Sequence, residues 1–64
     1  MRNKLKEYRG KEGITQAVLS KLTGIKITTI SNYEMQIRGI PIKNAVKFGK
    51  VFNINWWELY EIEK

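Results

Sequence analysis

Four residues of this 64-residue chain, Ile27, Thr28, Ser31 and Asn32, carry side chains suited to recognition rather than reaction. Thr28 and Asn32 lie four apart, so a helix would project both from one face. An amide presents a donor beside an acceptor, a hydroxyl does both on one atom, and the methyls of Ile27 and Thr28 give apolar contact. Such groups read a patterned hydrogen-bonding edge. Bond-making chemistry has little to work with. The chain has no Cys and no His, which excludes a disulfide framework, a zinc finger and thiol or imidazole catalysis. No paired carboxylates are spaced to share a site, so an enzyme is not expected, and neither is a metal, a cofactor or a small-molecule substrate.

Those residues need a scaffold, and the chain is short. A domain of this size buries only about 60% of its unfolded surface, which argues for one domain over residues 1–64 and against a deep cleft. No apolar run approaches a membrane span, and the opening MRNKLKEYRG has no secretory apolar core. A cytoplasmic protein associated with the nucleoid is the expectation. Charge is uneven. Residues 1–50 hold 11 Lys or Arg and three Glu, whereas residues 51–64 hold Lys64 against Glu58, Glu61 and Glu63. A basic body with an acidic tail suits a polyanion on one face. Ordinary solubility is the plainer reading, since many small proteins are basic, and the charge alone tips the balance only slightly toward nucleic acid.

The pattern predicts five helices and no linker or repeat. The first spans about Asn3 to Lys11, with Leu5, Tyr8 and Arg9 on one stripe and Gly13 closing it. Thr15 is a good N-cap for a second helix, about Gln16 to Leu22, and Ile14 can staple back onto it. Gly24 can take the left-handed conformation that a tight turn needs. IKITTI alone alternates like a strand, but Ile30, Tyr33 and Glu34 recur at helical spacing, giving a third helix of about Ile27 to Met35. Gln36 to Ile40 form a loop. Pro41 suits the first turn of a fourth helix to Phe52, with Ile42, Ala45, Val46, Gly49 and Phe52 inward and Phe48 partly buried. Asn55 caps a last helix, about Trp56 to Glu63.

The second and third helices carry a joint requirement. Where two helices cross steeply, Ser20 leaves room. Gly24 makes the turn and Ile25 plugs the gap beneath it. Leu19, Ile30 and Tyr33 anchor the pair, which turns Ile27, Thr28, Ser31 and Asn32 outward.

With LKEYR, GITQ, LSKLTGI, TTISNYE, IPIKNAVKFGKVFNI and the closing ELY, nearly the whole chain resembles the phage Cro and repressor helix-turn-helix family. The resemblance implies a five-helix all-α domain, usually dimeric, that binds operator DNA. It makes the helix of about 27–35 the recognition helix. Asn32 would contact adenine, Thr28 or Ile27 a thymine methyl, and Ser31 would lie beside them; outside the motif, Asn32 reads more simply as a solvated amide. Gln16, at the first turn of the second helix, would hold a phosphate. Lys26, Arg38, Lys43 and Asn44 would be further phosphate contacts, which position the protein without carrying sequence information. Lys6, Lys21, Lys47 and Lys50 read as solvated surface. Arg9 and Glu34 match a family ion pair that fixes the recognition helix to the body and leaves the guanidinium close to a phosphate.

Three departures qualify that reading. Met35-Gln36 replaces the usual Asn-Gly, so the loop is expected to turn less tightly. Lys26 replaces a Ser or Thr cap, opposing the helix dipole but able to meet a phosphate. Ile27 replaces a polar residue and shifts base reading toward methyl contact. Among the tryptophans, Trp56 aligns with a core leucine and is expected beneath the fourth helix. Trp57 falls at a polar place; with Tyr60 or Glu61 it belongs to a homodimer contact, or else it folds over the domain edge. The favoured function is sequence-specific binding of double-stranded DNA by a repressor-type regulator. The alternatives are a protein-interaction module, such as an antitoxin or regulator partner, and an RNA binder, which lacks an exposed aromatic platform among the basic residues.

Overall fold

Residues 2–61 are described by the computed structural model. Four α-helices, α1 (Leu5–Glu12), α2 (Gln16–Thr23), α3 (Ile27–Glu34) and α4 (Ile42–Phe52), are followed by a 3-10 turn, Trp56–Leu59. No strand forms among the described residues; an isolated antiparallel bridge joins Asn3 to Tyr60.

The helix ends follow from residue type. Gly13 stops α1 at φ 66° and Gly24 stops α2 at φ 74°, the left-handed region that costs a residue with a Cβ. Thr15 Oγ1 accepts from the Val18 amide at 3.1 Å, a side-chain N-cap. α4 ends where Asn53 turns to φ 57°, which Asn tolerates.

Leu5, Leu19, Ile30, Ala45, Phe48 and Leu59 are fully buried, joined by Ile25, Tyr33, Ile40 and Phe52. Every element contributes at least one residue to this centre. Tyr8 stacks on Phe52 with centroids 5.9 Å apart, and Tyr33 meets Phe48 edge-on at 6.1 Å, geometries favoured by ring quadrupoles. Gly49 lets α4 lie against the chain beyond it: a Cβ there would stand 2.8 Å from the Ile54 carbonyl oxygen.

Five features depart from the sequence expectation. The fifth helix is a short 3-10 turn, because Tyr60 swings into an extended conformation (φ −97°, ψ 142°) and pairs with residue 3; the rest of the expected helix, residues 62 and 63, lies outside the described residues. α1 begins at Leu5, since Asn3 is extended and buried. Phe48, expected partly buried, is fully so, while Ile42, expected inward, is 56% exposed. Ile42 shares a stripe with Ala45 but stands one turn outside the edge of the core. Trp56 is only half-buried, meeting Trp57 edge-on at 5.6 Å and Tyr60 at 6.1 Å.

Candidate nucleic-acid interface

α2 and α3 are joined through a turn that Ser20 stitches. Its hydroxyl donates to the Ile25 carbonyl at 2.6 Å, and the Gly24 amide donates to Ser20 at 2.8 Å. The small residue thus leaves room and also satisfies a turn carbonyl. Ile30 and Tyr33, both buried, draw the inner face of α3 into the core. On the outer face Ile27 and Thr28 are exposed, and Ser31 and Asn32 are half-buried. All four therefore share one ridge, with the apolar Ile27 at its leading end.

Lys26 stands at the start of α3, exposed, with no side-chain hydrogen bond capping the helix. Pro41 likewise offers no side-chain cap to α4. Both helix starts keep amide donors for an anion. Lys43 follows, exposed, at the first turn of α4, and Arg38 is exposed in the intervening loop. Asn44 is half-buried, and its amide donates to the Tyr33 hydroxyl at 2.9 Å. One end of the Asn44 amide is thus held by the core.

The far end of α3 is built around Glu34, whose side chain is 4% exposed. Arg9 donates through Nε to Oε2 at 2.6 Å and through Nη2 to Oε1 at 2.9 Å, a bidentate pairing. A third Arg9 nitrogen donates to the Ile14 carbonyl at 2.9 Å. Gln16 Nε2 donates to Glu34 Oε1 at 3.0 Å, so one of the hydrogens expected to reach a phosphate is committed to the ion pair. Burial works to raise the Glu34 carboxyl, but hydrogen bonds from Arg9 and Gln16 together with the Arg9 and Lys6 charges outweigh it and hold the group below its ordinary pKa. The same hydrogen bond raises the Arg9 guanidinium against a smaller opposing burial effect.

The loop after α3 makes a left-handed turn at Gln36, φ 62°, where the sequence suggested a looser path. Its side chain pairs with the backbone of Asn3: the Asn3 amide donates to Oε1 at 3.0 Å and Nε2 donates to the Asn3 carbonyl at 3.1 Å. Asn3 Nδ2 in turn donates to the Tyr33 carbonyl at 2.9 Å. Neither residue was singled out from sequence as a partner of the other. The available signal was a glutamine at a place where the motif wants glycine.

At the opposite edge, Trp57 is 52% exposed and Glu61 is exposed, while Tyr60 is half-buried. The Tyr60 hydroxyl donates to the Ile40 carbonyl at 2.6 Å. Burial, with the Tyr33 hydroxyl nearby, raises its pKa. Glu61 lies 3.4 Å from Arg2 in a surface ion pair. Among the described residues, no group of three or more His, Cys, Asp or Glu able to hold a metal occurs, and no helix is long and apolar enough to cross a membrane.

A family model described as helix-turn-helix matches residues 5–56. A relative in Archaeoglobus fulgidus, described as an uncharacterized HTH-type transcriptional regulator, is 33% identical over 60 residues, covering 94% of this chain and 86% of that protein. The matched span takes in all four α-helices and the first residue of the 3-10 turn. The chain belongs to the Cro/repressor-type helix-turn-helix family of DNA-binding regulators.

Proposed function

We propose that this protein is a sequence-specific, repressor-type transcription regulator that binds operator half-sites as a homodimer, with residues 27–35 in the major groove. The observation that carries the reading is the outward ridge of Ile27, Thr28, Ser31 and Asn32 on a helix whose other face is buried through Ile30 and Tyr33. Asn32 and Thr28 read bases, with Ile27 and Ser31 beside them. Lys26, Arg38 and Lys43 meet phosphates, aided by the free hydrogens of Gln16 and Asn44 and by the field of Arg9. The regulator named in Archaeoglobus fulgidus supports this direction.

A two-fold pair presents two recognition helices to half-sites about 34 Å apart, one turn of duplex. One copy measures 33 × 24 × 21 Å, so two can lie side by side over that length. Trp57, Tyr60 and Glu61 form or border the contact between them. Titration of duplex binding against salt tests the function. Three cationic phosphate contacts in each of two copies give a log–log slope of about −5. No binding at low salt, or a slope near zero, overturns the reading. In the same preparation, a Trp57→Lys variant that sediments like the parent removes the dimer contact.

A protein-interaction role is the second reading. The half-exposed Trp57 favours it, because an indole open to water is an interface residue in search of a partner. The same edge can serve both roles.

A further inference from the structure

Gln36 and Asn53 are the described residues other than glycine with positive φ, 62° and 57°. Asparagine is an ordinary choice there; glutamine is not. A glycine would reach the same turn with no strain and no partner. The glutamine must therefore be held, and its side-chain amide is held by both backbone groups of residue 3, at 3.0 and 3.1 Å. It pairs with Asn3 as a neighbouring strand would.

Asn3 is itself locked from several sides. It is 7% exposed. Its side chain donates to the Tyr33 carbonyl at 2.9 Å and accepts from the Leu5 amide at 3.1 Å. The flanking residues pair with the chain after the 3-10 turn: Lys4 N donates to Leu59 O at 2.7 Å, and Glu61 N donates to Arg2 O at 2.8 Å. Gln36 thus fastens the loop to a segment that is already fixed.

What the loop carries is the other half of the argument. The amides of Ile37 and Arg38 both donate to the Asn32 carbonyl, at 3.0 and 3.3 Å. The residue fastened by Asn3 is therefore followed directly by the two amides that cap the last turn of the recognition helix. Arg38 extends from that same short stretch. Gln36 is only half-buried, so its side chain does not fill the core.

We infer that Asn3 and Gln36 are positioning residues for DNA recognition, a latch that holds the loop after α3 so that Arg38 meets its phosphate and Asn32 keeps its posture in the groove. The latch rests on the DNA-binding reading above. It replaces the conformational freedom of a glycine with a fixed tie across 33 residues of sequence.

Gln36→Gly is the discriminating variant, because it keeps the left-handed turn and deletes the tie. The expected result is cooperative thermal unfolding close to the parent, duplex affinity weakened about tenfold, and a salt slope shallower by about 0.9 for each copy as one phosphate contact is lost. Arg38→Ala should weaken the parent but add little to Gln36→Gly. Parent-like affinity and slope in Gln36→Gly, or full additivity with Arg38→Ala, overturns the latch. Loss of cooperative unfolding in Gln36→Gly overturns it too, since the tie would then serve the fold itself. A parent protein indifferent to duplex DNA sinks the DNA-binding reading, whereas a binding parent with an unaffected Gln36→Gly sinks only the latch.

Discussion

The two ends of the recognition helix are built on opposite plans. At the start of α3 stands an exposed lysine with no cap, followed by the exposed Ile27 and Thr28. At its end the Tyr33 carbonyl is bonded by Asn3, the Glu34 carboxylate is gripped by Arg9 and Gln16, and the Asn32 carbonyl is capped by two loop amides. A helix tied at one end can stand out from the body without wandering. Leaving the other end open keeps its amide donors and its positive dipole for an anion. Local stability is given up at the start of the helix and concentrated at its end, where Asn32 and Arg38 have to be held in position.

Breaking the tied end should have the largest effect. Glu34→Ala leaves the Arg9 guanidinium without its carboxylate. A fully buried pair that loses one partner costs about 3–5 kcal/mol, an upper bound here because the Arg9 side chain is 18% exposed. Urea denaturation measures the loss. Acid should reproduce part of that loss. The Glu34 carboxyl titrates below its ordinary value in the folded protein. Its contribution to stability is therefore complete above the unfolded pKa of about 4.3. It falls away as pH drops through the folded value. Glu34→Gln should flatten this acid limb. An unchanged acid limb in that variant would mean that the pair is not the source of the pH dependence.

Gly49→Ala separates generic destabilisation from damage to the helix ends. The new methyl would stand 2.8 Å from the Ile54 carbonyl oxygen, with its nearest neighbours in residues 54 and 56 rather than in α3, and overpacking of this kind costs about 1–3 kcal/mol. The melting temperature should fall while the salt slope of duplex binding stays at the parent value. A changed slope would show that the slope reports stability rather than phosphate contact.

The smallest effect is expected at the open end. Lys26→Ser supplies the missing cap and should stabilise the fold by about 1 kcal/mol. It also removes a cation, so the salt slope should become shallower by about 0.9 per copy. Opposite signs for stability and binding would sharpen the contrast between the ends. A variant that gained stability with no change in slope would withdraw Lys26 from the phosphate contacts.

Much of this contrast was legible in the residues, and the division is physical. The α2–turn–α3 unit is local: Thr15, Ser20, Gly24 and Ile25 act on neighbours within about two turns, and the helical spacing of Ile30 and Tyr33 marks the inner face of α3, so spacing alone implies their roles. The Arg9 and Glu34 pairing became readable through the family motif. Asn3 could not be read in the same way. As a residue type it suits a helix start, and only the fold brings it to Gln36 and Tyr60, 33 and 57 positions along the chain. The final helix departs from its sequence pattern for the same reason. Residues 56–61 have acceptable helical character by themselves, but pairing of residues 59–61 with residues 2–4 draws the chain out after a single 3-10 turn. Ile42 shows a related limit, since periodicity assigns a face but not the place where the core ends.

The account depends most on the Thr28–Asn32 face reading base edges. Selection of bound duplexes from a random pool, repeated with Asn32→Ala and with Thr28→Ala, tests this directly. The prediction is a changed base preference at one position of each half-site for each variant, with discrimination there reduced by about 1–3 kcal/mol and the rest of the site retained. Uniform weakening across all sequences with the preferred site unaltered would contradict it, and would reassign that face to backbone contact or packing.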